Sequence, residues 1–163
     1  MLLGLFEAHL DVIDLERSVA FYESVLGLEV VARGEADGSR ADAHSRTARR
    51  FALLWVGGRG NAMLGLWERR SVDVPPQHIA FEVHVAELSS LVTVLGARGI
   101  AFRDFFQRTS GDPTVFGFIP AASVYFDDPD GHVLELLARL DGPPRPELGI
   151  ITWTEWAQRI QAP

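Results

Sequence analysis

From Phe6 to Leu15 the chain reads FEAHLDVIDL, and its apolar and polar positions alternate. That period predicts a strand with His9, Asp11 and Ile13 on one face and Ala8, Leu10 and Val12 on the other. The period then lengthens. Val19, Phe21, Tyr22, Val25 and Leu26 fall at helical spacing, with Asp14 or Ser18 as the cap and Gly27 as the stop. LEVVAR returns to a strand pattern, and after a polar stretch FALLWVG and NAMLGLWER flank the turn GGRGN.

The same order starts again at QHIAFEVHV, a β-rich run followed by the helical stretch AELSSLVTVLGARG, which also closes on glycine. IAFRDFF, the FGFI and SVYF region, and HVLELLARL supply three further strands. Each half opens with a histidine near its first strand, His9 and His78, 69 residues apart. The order indicates an internal duplication: an α+β domain over residues 1–163, built from one βαβββ module at 7–70 and a second at 77–140. SVDVPP, Ser71 to Pro76, is the expected linker, because proline discourages continued strand pairing. Two segments fall outside the repeat. Gly34 to Arg50 is polar with few apolar anchors and reads as a loop or lid. The tail, 141–163, carries Thr152 and Glu155 at capping-box spacing, with Trp153, Trp156 and Ile160 forming an apolar stripe, which predicts a short docked helix.

Composition narrows the chemistry. A 163-residue chain with 47% hydrophobic residues suits a folded domain with a real core. No apolar run approaches the roughly 20 residues that cross a bilayer, and the start lacks a basic n-region, so a soluble cytoplasmic protein without a membrane partner is expected. The net charge of -7 argues against nucleic acid. Cysteine is absent, which excludes disulfides, thiolate nucleophiles and sulfur-bound metals. All fifteen basic residues are arginine, which excludes a Schiff-base or P-loop lysine. Any metal here is held by nitrogen and oxygen.

In YFDDPDGHVLELL, Tyr125 to Leu137, a turn rich in aspartate precedes a strand whose apolar run is broken by Glu135. A buried carboxylate without a partner costs several kcal/mol, so Glu135 requires an arginine or a metal. If the first strands of the two modules line a shared cup, His9 and His78 converge and Glu135 completes a facial set of two imidazoles and a carboxylate. That set suits iron(II), manganese, cobalt, nickel or zinc without choosing among them. His44, His84 and His132 are read as structural, and the aspartates of the turn as partners of backbone groups.

The whole arrangement resembles the vicinal oxygen chelate superfamily, which includes glyoxalase I, bleomycin-binding proteins, fosfomycin-modifying enzymes and extradiol dioxygenases. The resemblance covers residues 7 to 140. It is carried by HLDVIDLERSVAFYESVLGLEVV, by the shorter HIAFEV, and by VYFDDPDGHVLELL. It implies a pair of βαβββ modules curling around a metal pocket, with His9, His78 and Glu135 at the three shared ligand positions. Glyoxalase I adds a fourth ligand at a position that falls near Gly65 here; Glu68, three residues on, lies at the opposite alternation. Ser123 and Tyr125 match pocket positions of the fosfomycin-modifying enzymes, whereas Asp11 replaces their threonine and their pocket lysine has no counterpart. The extradiol signature has a histidine where this chain has Phe116 to Phe118.

Under this reading a divalent cation polarises a small-molecule substrate with two adjacent oxygens. Asp11 or Glu82 is the candidate proton carrier and Tyr125 orients the substrate. Lyase, isomerase, epoxide-opening and dioxygenase reactions all fit such a centre, an extradiol ring cleavage being one alternative. The other is a non-catalytic bleomycin-type binder whose groove is lined by Trp55, Trp67, Phe105, Phe106 and Phe116. A homodimer is expected in either case.

Overall fold

In a computed structural model of the chain, which describes residues 1–36, 49–69, 73–109 and 111–160, the alternating segment near the start forms strand β1 (Glu7–Val12). Leu10 and Val12 point into the core while His9 faces outward, as the alternation requires. Helix α1 (Leu15–Leu26) follows. Its cap is Asp14, whose carboxylate accepts from the Arg17 amide at 3.1 Å, and Gly27 ends it in the left-handed conformation, φ 67°. Ser18, the other candidate cap, is instead buried inside the helix. Strands β2 (Glu29–Ala36), β3 (Arg49–Val56) and β4 (Ala62–Glu68) come next. Most of the segment read as a lid, 37–48, lies outside the described residues, as do His44 and the first two linker positions, 71–72.

The chain divides into two compact units. The first comprises Met1–Gln77 with Asp128–Asp130. Its sheet has the order β1-β4-β3-β2, with β1 parallel to β4 and the remaining pairs antiparallel. α1 packs on β3 and β4 around Leu10, Val19, Tyr22, Leu54 and Leu66. Tyr22 is fully buried, and its hydroxyl donates to Asp128 Oδ2 at 2.9 Å. Burial first, and the Asp128 charge second, push the phenol far above its ordinary pKa, so it remains a donor. Asp130 accepts from Ser18 Oγ at 2.9 Å and pairs with Arg17. The acidic turn thus serves side chains of α1 as well as its own backbone, where Asp128 Oδ1 accepts from the Asp130 amide. Tyr22→Phe removes this donor from a buried carboxylate. It should cost about 1–3 kcal/mol in urea unfolding, and a loss within error would show the bond to be idle.

The second unit comprises His78–Asp127 and Gly131–Pro163. It contains β5 (His78–Glu82), α2 (Val85–Ala97), β6 (Phe102–Arg103), β7 (Thr114–Phe116), β8 (Ala121–Asp127), β9 (Val133–Arg139), β10 (Ile150–Thr152) and α3 (Trp153–Ile160). The order across the sheet is β10-β7-β8-β9-β5, with β6 paired to β8 and β5 parallel to β9. One reading needs correction, and one strand was not foreseen. The FGFI and SVYF region is two strands, β7 and β8, because Gly117 to Pro120 turn the chain back. β10 had no forecast, since three residues are too few to show a period. The capping box is present: the Glu155 amide donates to Thr152 Oγ1 at 3.2 Å, and the Thr152 amide donates to Glu155 Oε2 at 2.9 Å. Trp156 is buried beneath the helix. His132 is completely buried, and His84 is exposed at the start of α2. Among the described residues no helix is long and apolar enough to cross a membrane.

Candidate metal centre

β9 places Glu135 opposite Tyr125 of β8 and beside Ala80 of β5, and His78 stands two residues before Ala80 on the same face of β5. Glu135 is only 5% exposed. One oxygen, Oε1, accepts from the Ser123 hydroxyl and from Tyr125 Oη at 3.1 Å. The other, Oε2, stands 3.0 Å from His78 Nε2, and the His78 side chain is 53% exposed. A buried carboxylate is therefore clamped on one side by two hydroxyls, with its second oxygen turned to an open imidazole. Burial and the neighbouring Glu135 charge, in that order, raise the Tyr125 pKa well above its usual value, which keeps the hydroxyl protonated and donating.

The donor chemistry of this pair fits a divalent cation. Two cis ligands about 2.1 Å from an ion stand about 3 Å apart. His78 Nε2 and Glu135 Oε2 are already at that separation.

His9 belongs to the first unit. It lies opposite Gly65 in the β1–β4 ladder, and a Cβ added at Gly65 would come within 2.7 Å of His9 Nδ1. The absence of a side chain at Gly65 thus makes room for the imidazole. Trp67 Nε1 donates to His9 Nδ1 at 2.6 Å, and His9 Nε2 faces Glu7 Oε1 at 3.3 Å. Because an indole can only donate, a neutral His9 in this arrangement carries its proton on Nε2. A cleft of about 320 Å³ in this unit is lined by His9, Asp11, Arg49, Trp67, Arg69 and Gln77. Among the described residues, no three histidine, aspartate or glutamate side chains are grouped as a metal cage.

The candidate proton carriers sit among arginines. Asp11 pairs with Arg49 through one oxygen and with Arg69 Nε at 2.6 Å through the other. Glu82 is exposed and pairs with Arg139; four residues along β5 from His78, its Cα lies about 13 Å away at strand rise. Glu68 accepts from the Leu15 amide at 3.1 Å and from Arg50, so it supports α1 and the sheet. Of the aromatic residues read as one groove, Trp55 and Trp67 belong to the first unit and Phe105, Phe106 and Phe116 to the second. The clamp on Glu135 was half legible. Ser123 and Tyr125 alternate on β8, but only the β8–β9 register shows that both reach one carboxylate oxygen.

Known proteins resemble this chain in sequence and in fold. The model of the Glyoxalase/Bleomycin resistance protein/Dioxygenase superfamily matches residues 6–136. The metallothiol transferase FosB of Lysinibacillus sphaericus (strain C3-41) is 28% identical over 122 residues, covering 75% of this chain and 72% of that protein. An integron cassette protein from the mobile metagenome of the Halifax Harbour sewage outfall superposes with a TM-score of 0.60 at 30% identity, over 84% of this chain and 99% of that one. The fosfomycin resistance protein FosX of Listeria monocytogenes, solved with Mn(II) and sulfate, shares the fold with a TM-score of 0.58 at 20% identity, over 86% and 95% of the two chains.

Proposed function

We propose, from the premise that this chain belongs to the Glyoxalase/Bleomycin resistance protein/Dioxygenase superfamily, that it is a metal-dependent enzyme acting on a small molecule with two adjacent oxygens. The observation that carries this reading is the Glu135 clamp: a nearly buried carboxylate with Oε1 held by two hydroxyls and Oε2 facing His78 Nε2. His78 and Glu135 hold the cation, and His9 is the third ligand, offering Nε2 once Trp67 releases Nδ1. The nitrogen and oxygen donors accept Fe2+, Mn2+, Ni2+, Co2+ or Zn2+. Relatives named for a metallothiol transferase and for a Mn(II) complex support a divalent cation. When bound, the ion supplies Lewis-acid polarisation of substrate oxygen.

The chain's own residues do the rest. Ser123 and Tyr125 fix the plane of Glu135, so its charge stays directed at one point. Tyr125 holds its proton and orients Glu135 by donation, the role we assign in place of direct substrate contact. Asp11 sets the charge of the His9 cleft through Arg49 and Arg69. We assign proton transfer to Asp11 in preference to Glu82, because Asp11 lines the same cleft as His9. The working form is a homodimer.

Metal analysis of protein purified without chelator tests the reading. The expected result is one divalent ion per chain, lost in His78→Ala and reduced in His9→Ala. Absence of stoichiometric metal in the native protein, or full retention in both variants, would sink it.

A further inference from the structure

From the metal pair an unbroken row of aromatic rings leads to the surface of the second unit. The His78 ring lies 6.0 Å from Tyr125, and Tyr125 lies 6.4 Å from Phe105. Phe105 meets Phe106 and Phe116 edge-on, each at 5.5 Å, and Phe116 meets Phe118 at 5.7 Å. The inner rings, Tyr125 and Phe116, are each 7% exposed, whereas Phe105 is 45%, Phe106 50% and Phe118 48% exposed. Large apolar side chains left in water on a mobile loop would be unremarkable. These stand on a loop built to hold them out.

Asp104 is buried and closes that loop. Its Oδ1 accepts from the Arg108 amide at 2.8 Å, its Oδ2 pairs with Arg108 Nε at 2.7 Å, and its amide donates to the Arg108 carbonyl at 2.9 Å. Gln107 takes the left-handed conformation, φ 65°, which a residue with a side chain adopts only when its surroundings impose it. The Phe105 amide is tied to Thr114 Oγ1 at 2.8 Å, and the Arg108 guanidinium covers the Phe106 ring at 5.0 Å. Backbone and side chain are thus ordered around two phenylalanines that remain about half exposed.

We propose that this wall is the specificity surface of the site and that the substrate is a flat aromatic compound of at least two fused rings with adjacent oxygens. The oxygens meet the cation at His78 and Glu135, and the rings lie along Phe105 and Phe106. The proposal rests on the metal-site reading given above, and adds a substrate class to it. Edge and face contacts with aromatic rings favour a flat ligand beyond the area it buries. A fixed wall also loses little conformational freedom on binding. The occupant is a small molecule because the row is continuous with the polar pair through Tyr125, which touches His78, Glu135 and Phe105 alike.

The test uses the full chain loaded with Mn(II), with uptake followed by the loss of the free-ion paramagnetic resonance signal. Calorimetry compares 2,3-dihydroxynaphthalene with 1,2-propanediol in the wild type and in the double variant Phe105→Ala, Phe106→Ala. The expected result is a preference of about tenfold or more for the naphthalenediol, falling to within about threefold in the variant, with Mn(II) uptake unchanged. No preference in the wild type overturns the proposal. So does a preference that survives the double variant, or a variant whose only change is a smaller assembly in sedimentation, which would assign the patch to a second copy. If the wild type takes up no Mn(II), the metal reading fails on its own. The wall is then judged by titrating the metal-free protein with the same naphthalenediol: binding lost in the double variant supports it, and binding unchanged or absent overturns it.

Discussion

Glu135→Gln is expected to lower divalent-cation affinity by about 100-fold or more while leaving the fold in place. The separation of the two effects follows from the clamp. An amide oxygen still accepts from Ser123 Oγ and Tyr125 Oη, so the hydroxyls on β8 keep their partner. Its other end becomes a neutral donor facing His78 Nε2, which removes both the negative charge and the lone pair that a cation requires. Equilibrium dialysis against Mn(II), paired with thermal melting, measures the two halves. Unchanged affinity would remove Glu135 from the site. A collapsed melt would show that its charge serves the core instead. Glu135→Leu is the useful companion, because it restores the apolar run of β9 but strands both hydroxyls.

Gly65→Ala is the second variant with a large expected effect. The added Cβ would stand 2.7 Å from His9 Nδ1, 3.1 Å from His9 Cε1 and 3.3 Å from Leu53 Cδ2. The His9 ring is the group approached closer than 3 Å, so the imidazole must shift, and with it goes the hydrogen bond from Trp67. Overpacking of this kind costs about 1–3 kcal/mol. The functional consequence is larger in kind, because His9 can no longer lie across β4. A cation affinity lowered about tenfold or more is expected, together with an altered Trp67 fluorescence spectrum. If the fluorescence changes and the affinity does not, His9 is displaced without being a ligand.

Much of the scaffold could be read from pattern alone, and the reason differs by element. β1 and α1 were legible because alternation, an aspartate cap and a stopping glycine all act within a few residues of where they are written. The capping box of the tail was legible for the same reason. β7 and β10 were not, since each is three residues long and owes its form to the other: Ile151 pairs with Val115 across 36 positions of sequence. At the site, Glu135 announced itself as an acid among leucines, but the identity of its clamp depended on β8–β9 register. The reach of Asp128 and Asp130 to α1 was likewise hidden, because nothing local distinguishes an aspartate that bonds its own turn from one that bonds Tyr22.

Strand β10 has a meaning for how the chain can be handled. β7 is buried along its whole length, and without β10 its outer row of amides and carbonyls would form an open sheet edge. The tail is fastened there by more than pairing: the Gly117 amide donates to the Gly149 carbonyl at 2.8 Å, the Arg145 amide donates to the Gly117 carbonyl at 2.7 Å, and no side chain fits at Gly117, where a Cβ would lie 2.5 Å from the Arg145 oxygen. The family match ends at residue 136, yet the segment from 145 to 152 acts as a selvedge on the sheet that carries Glu135. A version trimmed to the family's limits would present a strand ready to pair with its neighbours, and aggregation rather than inactivity would be its first symptom.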